Sequence, residues 1–232
     1  MTLRLYIASI ASALGYVAVR DFAGNPISVV LKVGSIALLL VIAIKSRADR
    51  RLRAALSASI AGDFFLGIDQ LGPLGLDTLF QLGLASFLVA HLFLIALFRR
   101  ERSARPVSIV RRAFAVAIAI VPFPLLAVLW TALGPLRLPV VLYALALCAM
   151  AITAQWSRYD LRVALGAVSF VASDSILAFE HFKGTFAHSA MAVWATYVLA
   201  QALITSGVVA GQSASANGSI AGTPRQTSVS TT

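Results

Sequence analysis

Charged residues are scarce in this sequence, and acidic residues are scarcer than basic ones. Only 12% of the 232 residues are Asp, Glu, Lys or Arg, whereas 59% are hydrophobic and the mean hydropathy is +0.89. In soluble domains about a quarter of the residues are charged. The composition therefore excludes an ordinary soluble domain and predicts an integral membrane protein.

Cysteine and histidine are almost absent. The one cysteine, Cys148, lies in an apolar stretch, which excludes an intrachain disulfide and a cysteine-based zinc site. The three histidines show no metal-ligand spacing, and the chain has no HExxH motif. A site built from Asp and His is an alternative, but the sequence predicts neither a metal nor another cofactor.

Apolar stretches long enough to cross about 30 Å of hydrocarbon recur along the chain. They cover residues 3–19, 26–45, 53–69, 78–98, 110–131, 138–156, 161–179 and 188–210. The first residues lack the features of a cleaved signal peptide, so the first stretch is predicted to be a retained helix. We expect an all-α bundle of eight transmembrane helices, the fifth kinked or interrupted at Pro122 and Pro124.

The net charge of +10 raises the question of nucleic-acid binding, which the distribution of the basic residues decides. With the N-terminus inside, 15 of the 19 basic residues fall on the inner side, Arg20, Arg137 and Lys183 fall outside, and Lys32 lies within the second helix. This is the positive-inside pattern. It predicts a multi-pass protein of the cell membrane with both termini cytoplasmic, the bilayer as its surroundings, and no nucleic-acid partner.

The composition changes near residue 211. From there to residue 232 the chain consists mainly of Ser, Ala, Gly, Thr and Asn, which cannot bury enough apolar surface to become ordered. We predict a transmembrane domain over residues 1–210 and a disordered cytoplasmic tail over 211–232.

Two aspartates interrupt the apolar helices. A carboxylate at bilayer depth costs roughly 2.5 kcal/mol or more, so Asp63 and Asp174 are predicted to have a function. Both lie on outward-running helices, about 10 to 13 residues or roughly 15 to 20 Å from the inner end. They are therefore expected at one depth. A structural hydrogen bond, or an ion pair with Lys32, is the alternative.

Few other polar side chains are predicted to be buried inside the membrane. They are Lys32, Gln81, His91, Ser173, Tyr197 and Gln201. Tyr197 and Gln201 are four residues apart, so they share one helix face and could line a pocket with the aspartates. Lys32 could instead extend to the interface, His91 could be a buried structural residue, and Gln201 could simply bond between helices.

Four segments resemble a known family. They are 62–66 (GDFFL), 80–91 (FQLGLASFLVAH), 166–177 (GAVSFVASDSIL) and 195–201 (ATYVLAQ). In this order and spacing they are similar to the YhhN family of eight-helix membrane proteins. The family's polar positions correspond to Lys32, Asp63, His91, Asp174, Tyr197 and Gln201. The chain departs from the pattern at Val33, where many members have proline, and at Leu94, where many have tyrosine.

The resemblance implies a lysophospholipid-type substrate. Characterised animal members are lysoplasmalogenases, which hydrolyse the vinyl ether of lysoplasmalogens to a fatty aldehyde and glycerophosphoethanolamine or glycerophosphocholine. That chemistry needs a neutral acid and an ionised base, which two neighbouring buried carboxyls can supply. Asp63 and Asp174 are the predicted catalytic pair, with Lys32, His91, Ser173, Tyr197 and Gln201 binding substrate. The alternatives are a lipid carrier, a proton-coupled carrier, or a hydrolase of another ether or ester lipid.

Overall fold

The computed structural model describes residues 2–19, 26–69, 76–104 and 106–221. Within these ranges the protein is helical, and extended backbone pairs only at an isolated bridge between Arg102 and Ser157. The helices are α1 (Thr2–Val19), α2 (Pro26–Lys45), α3 (Arg50–Asp69), α4 (Leu76–Arg100), α5 (Ile109–Ile120), α6 (Pro122–Leu129), α7 (Arg137–Gln155), α8 (Leu161–Lys183) and α9 (Ser189–Ala221). A 3₁₀ turn over Gly134–Leu136 precedes α7. The all-α prediction is confirmed.

The interruption predicted in the fifth apolar stretch is confirmed. Helix α5 ends at Ile120, and α6 begins at Pro122. The proline occupies the first position of α6, where its missing N–H would have had no helical partner. The stretch therefore consists of two short helices.

Seven segments within the described ranges are long and apolar enough to cross a membrane, with α5 and α6 counted together. Helix α3 does not meet this criterion, although it has 20 residues. The reason is its charge, because Arg50, Arg51, Arg53, Asp63 and Asp69 all lie on it. The protein is thus a multi-pass membrane protein. A count of eight crossings would require the charged helix α3 to cross the membrane as well.

Neighbouring helices form antiparallel pairs, with α1 against α2, α3 against α4, and α8 against α9. Glycine allows α3 and α4 to approach closely. A Cβ added to Gly62 would lie 2.6 Å from the ring of Phe87, and one added to Gly83 would lie 2.8 Å from Leu66. Large apolar side chains also face outward, such as Ile7 and Leu14 on α1, which are 57% and 65% exposed. This exterior suits hydrocarbon.

The basic loops meet at one end of the bundle, which we call the basic end. It comprises the α2–α3 turn (46–49), the α4–α5 loop (101–108) and the α7–α8 loop (156–160). Arg100 lies 3.4 Å from the carboxylate of Asp49, and Arg158 pairs with Glu101. The Ser103 N–H donates to the Trp156 carbonyl at 2.9 Å. Three loops predicted to lie on one membrane side therefore contact one another.

Helix α9 continues beyond the point where the sequence predicts disorder. Residues 211–221 continue the helix, while residues 222–232 lie outside the described residues. The Asp49 N–H donates to Gln212 Oε1 at 3.0 Å, and Gln212 Nε2 donates to the Tyr159 hydroxyl at 3.3 Å. A Cβ on Gly211 would lie 2.8 Å from Tyr159. These contacts order a segment whose composition alone favours disorder.

Candidate active site

Asp63 lies on α3 and is only 2% exposed. The Tyr197 hydroxyl on α9 donates to its Oδ2 at 2.6 Å. Gln201 Nε2 donates to the Tyr197 oxygen at 3.3 Å and to the Ser59 hydroxyl at 2.9 Å. Both helices contribute residues four apart, which places each pair on one face. The result is a hydrogen-bonded chain that orients the Asp63 carboxyl.

Asp174 lies on α8, and its side chain is 9% exposed. The Tyr143 hydroxyl on α7 donates to its Oδ2 at 2.5 Å. His91 Nε2 lies 3.9 Å from the same oxygen, which is too long for a hydrogen bond. The histidine is fully buried between the rings of Tyr143 and Phe170, and neither of its nitrogens has a hydrogen-bond partner among the described residues. Each aspartate therefore accepts a hydrogen bond from one tyrosine.

Both aspartates line one cavity of about 220 Å³, which we call the polar cavity. A cavity of this volume can hold several water molecules, since each takes about 30 Å³. Lys32 on α2 also lines it, so an amine and the two carboxyls share one cavity. Ser173 lines it as well, and its hydroxyl donates to the Val193 carbonyl at 3.1 Å.

Asp174 also lines a second cavity, of about 60 Å³. We call it the apolar cavity, because nearly all of its lining is aliphatic or aromatic. Helices α3, α4, α6, α7 and α8 contribute to it, and Pro122 at the start of α6 is part of its wall. Leu66, Phe80, Phe87 and Leu177 border both cavities. Asp174 thus lines a polar space and an apolar space.

The structure brings most of the predicted site residues together. Five of the seven line the polar cavity, namely Lys32, Asp63, Ser173, Asp174 and Tyr197. Gln201 contacts the site indirectly, because its Nε2 donates a hydrogen bond to the Tyr197 oxygen. His91 contacts the site beside Asp174 without appearing in the cavity wall. Gln81 is a wrong prediction, because its side chain is exposed on the surface of α4.

Sequence reasoning missed Tyr143, Glu180 and Tyr16, which the structure places at the cavities. The sequence could have indicated Tyr143, since it is the one tyrosine of the apolar helix α7. Glu180 lies near the end of α8, where an acidic residue suggests an exposed helix end. Tyr16 resembles the interfacial tyrosines that mark the ends of membrane helices.

The arrangement can perform acid and base chemistry on an amphiphilic molecule. Two buried carboxyls that face one cavity can hold a proton as well as a negative charge. Among the described residues there is no cluster of three or more His, Cys, Asp or Glu side chains that could hold a metal ion.

Much of the sequence is similar to known proteins. The chain is 38% identical over 170 residues to proteins named lysoplasmalogenase from Mycobacterium bovis and Mycobacterium tuberculosis. Each match covers 72% of this chain and 63% of the relative, so the chain spans less than two thirds of their length. No solved structure matches the chain. The model of the YhhN family matches residues 27–208, and the chain therefore belongs to the YhhN family.

Proposed function

We propose that this protein is a membrane-embedded lipid hydrolase of the lysoplasmalogenase type, which cleaves the vinyl ether bond of a lysophospholipid. The observation that carries the proposal is the position of Asp174, which lines the polar cavity together with Asp63 and also lines the apolar cavity. A bond cleaved beside Asp174 would have a polar headgroup on one side and a hydrocarbon chain on the other. The name of the two mycobacterial relatives supports the same activity.

We assign the acid role to Asp174 and the base role to Asp63. Lys32 lines the same cavity as Asp63, and a cation in that cavity favours a carboxylate over a carboxylic acid. Asp174 borders the apolar cavity, where a neutral carboxylic acid costs less than a carboxylate. Tyr143 occupies Oδ2 of Asp174, which leaves Oδ1 to carry the proton. The assignment thus follows from the different surroundings of the two groups.

The reaction then proceeds in three steps. Asp174 gives its proton to the alkene carbon that does not carry oxygen, and the other alkene carbon becomes an oxocarbenium ion. Water attacks that ion while Asp63 accepts a water proton, which produces a hemiacetal. The hemiacetal hydroxyl then returns a proton to Asp174 while the bond between the hemiacetal carbon and the glycerol oxygen breaks. Asp63 gives its proton to the departing glycerol oxygen. The products are a fatty aldehyde and a glycerophospho headgroup, and both aspartates are restored.

Other residues would position the substrate. Lys32 supplies a cation in the polar cavity for the lipid phosphate. Tyr197 and Gln201 fix the Asp63 carboxylate, and Ser173 can hold the attacking water at the cavity wall. The first carbons of the hydrocarbon chain would enter the apolar cavity, and the rest would extend past the break between α5 and α6 into the bilayer. Such a lipid would enter sideways from the bilayer.

We also propose a topology of eight crossings in the cell membrane, with both termini cytoplasmic. Helix α3 would cross with its arginines at the basic end and Asp63 inside the bundle. Two observations support this. The α2–α3, α4–α5 and α7–α8 loops contact one another, and these loops together with the helix ends beside them hold 13 of the 19 basic residues.

The activity can be tested with purified protein and a lysoplasmenyl lipid. We expect stoichiometric release of aldehyde and headgroup, detected by mass spectrometry. The 1-acyl and 1-alkyl lysolipids of the same headgroup serve as controls and should remain intact. Cleavage of the acyl lipid would instead support an esterase. Proton-driven uptake of lipid into liposomes without any product would support a carrier, and would overturn the proposal.

A further inference from the structure

The polar cavity contains an acidic residue that the proposed reaction does not use. Glu180 lies on α8, six residues after Asp174, and lines the same cavity. Six residues of helix correspond to about 9 Å along its axis. The side chain is half-buried, so it is accessible from the cavity. A carboxylate here needs a cationic partner or a structural reason.

The Glu180 carboxylate is held in place by the protein. The Ser189 hydroxyl at the start of α9 donates to its Oε1. That hydroxyl in turn accepts from the backbone N–H of Phe186 at 3.3 Å. Ser189 is only 2% exposed, so the bond is shielded from water. Glu180 therefore presents a fixed negative charge to the cavity.

Aromatic rings line the same cavity as Glu180. The rings of Phe80 and His181 stack with centroids 3.5 Å apart and planes within 4°. Tyr16 and Trp194 form a second pair, with centroids 4.6 Å apart. All four border the polar cavity. Proteins bind ammonium groups, quaternary ones included, on aromatic faces, and a carboxylate in the same cavity adds a charge of the complementary sign.

We propose that Glu180 and the aromatic rings of Phe80, Tyr16 and Trp194 bind the ammonium group of a zwitterionic lipid headgroup, and so select amine-bearing lysolipids. Lys32 and Glu180 are then a matched pair of opposite charges for phosphate and amine. The role in lipid selection rests on the proposed function, whereas the ammonium site itself does not depend on hydrolysis.

The length of such a headgroup fits the helix. Nine covalent bonds separate the vinyl ether oxygen from the headgroup nitrogen, which span roughly 10 Å when extended, since a single bond is about 1.5 Å long and the chain zigzags. This matches the distance of about 9 Å along α8 from Asp174 to Glu180. One lipid could therefore present its vinyl ether to Asp174 and its amine to Glu180.

The test compares two lipids that the protein cannot hydrolyse. They are 1-alkyl-glycerophosphocholine and 1-alkyl-glycerophosphate, which differ only in the choline. Binding is measured in lipid nanodiscs by tryptophan fluorescence. We expect Glu180→Gln to weaken binding of the choline lipid about tenfold, the effect of losing one charge-assisted contact, and to leave the phosphate lipid unchanged or tighter. Lys183→Gln is the matched control, because Lys183 is exposed near the same helix end and does not line the cavity.

Two further variants exclude a purely structural role. Glu180→Asp keeps the charge and should retain most of the preference for choline. Phe80→Leu removes one aromatic face and should reduce that preference without weakening the phosphate lipid. Equal loss for both lipids, or no loss with either Glu180→Gln or Phe80→Leu, would overturn the ammonium site. Absence of aldehyde from lysoplasmenyl lipids in the wild type would overturn the proposed function alone.

Discussion

At the scale of the residue, the site repeats one arrangement, in which a buried carboxyl accepts a hydrogen bond from a tyrosine hydroxyl. Tyr197 donates to Asp63 and Tyr143 donates to Asp174, at 2.6 and 2.5 Å. A hydrogen bond to a charged group contributes roughly 1.5 to 3 kcal/mol. The tyrosines should therefore influence how easily each aspartate gives or accepts a proton, and they fix the orientation of the two carboxyls.

Replacing Tyr143 by phenylalanine tests this role. The variant should lower kcat about tenfold to a hundredfold, with a much smaller change in KM, because the lost bond acts on the acid rather than on the lipid. Steady-state aldehyde release at several lipid concentrations measures both constants. Tyr159→Phe is the control, since Tyr159 bonds to Gln212 at the basic end and is absent from both cavity walls. Equal effects of the two variants on kcat would contradict a role of Tyr143 at Asp174.

At the scale of the element, the site depends on the close approach of α3 and α4. Phe87 on α4 fills the space that the missing side chain of Gly62 leaves on α3. The same ring packs edge-on against Tyr197, with centroids 5.7 Å apart, and lines both cavities. The spacing of the two helices is therefore linked to the position of the tyrosine that bonds Asp63.

Gly62→Ala should destabilise the protein by about 1 to 3 kcal/mol, the usual cost of overpacking. The new Cβ would lie 2.6 Å from the Phe87 ring, so one of the two helices must shift. Thermal unfolding in detergent measures the effect. Gly15→Ala provides the comparison, because a Cβ there meets Leu31 at 3.4 Å, an ordinary contact. If both variants unfold at the temperature of the wild type, the helices are not in the contact described.

The sequence predicts the elements better than it predicts their contacts. Apolar stretches and the prolines near residue 122 locate the helices and the break between α5 and α6, since hydrocarbon imposes both length and composition. It also identifies the buried aspartates. The role of Tyr143 cannot be predicted from sequence, because one hydroxyl hardly changes the apolar character of α7 and its bond to Asp174 depends on how α7 and α8 pack. The helix beyond residue 210 cannot be predicted either, because it depends on contacts of Gln212 with Asp49 and Tyr159.

At the scale of the whole molecule, charge separates the two ends of the bundle. The basic end holds the three connected loops, whereas the α8–α9 loop lies at the opposite end, after Lys183. Three membrane crossings separate the α4–α5 loop from the α8–α9 loop in the proposed topology. The two loops should therefore face opposite sides of the membrane.

Single cysteines test this orientation. Cys148 is first replaced by alanine, and Ala187→Cys or Ala104→Cys is then introduced, each at an exposed loop position. In intact cells a membrane-impermeant maleimide should label position 187 and should reach position 104 only after permeabilisation. The reverse pattern would invert the topology. Labelling of both positions in intact cells would contradict an odd number of crossings between them.

We propose that Asp63 and Asp174 act together to hydrolyse a vinyl ether. The decisive measurement is aldehyde release from lysoplasmenyl lipid by the purified wild type and by the Asp63→Asn and Asp174→Asn variants. Each replacement keeps the size of the side chain and removes its ability to exchange a proton. Either variant should lose at least a hundredfold in kcat, within the range that general acid–base catalysis contributes. Full activity in both variants would contradict the proposed pair.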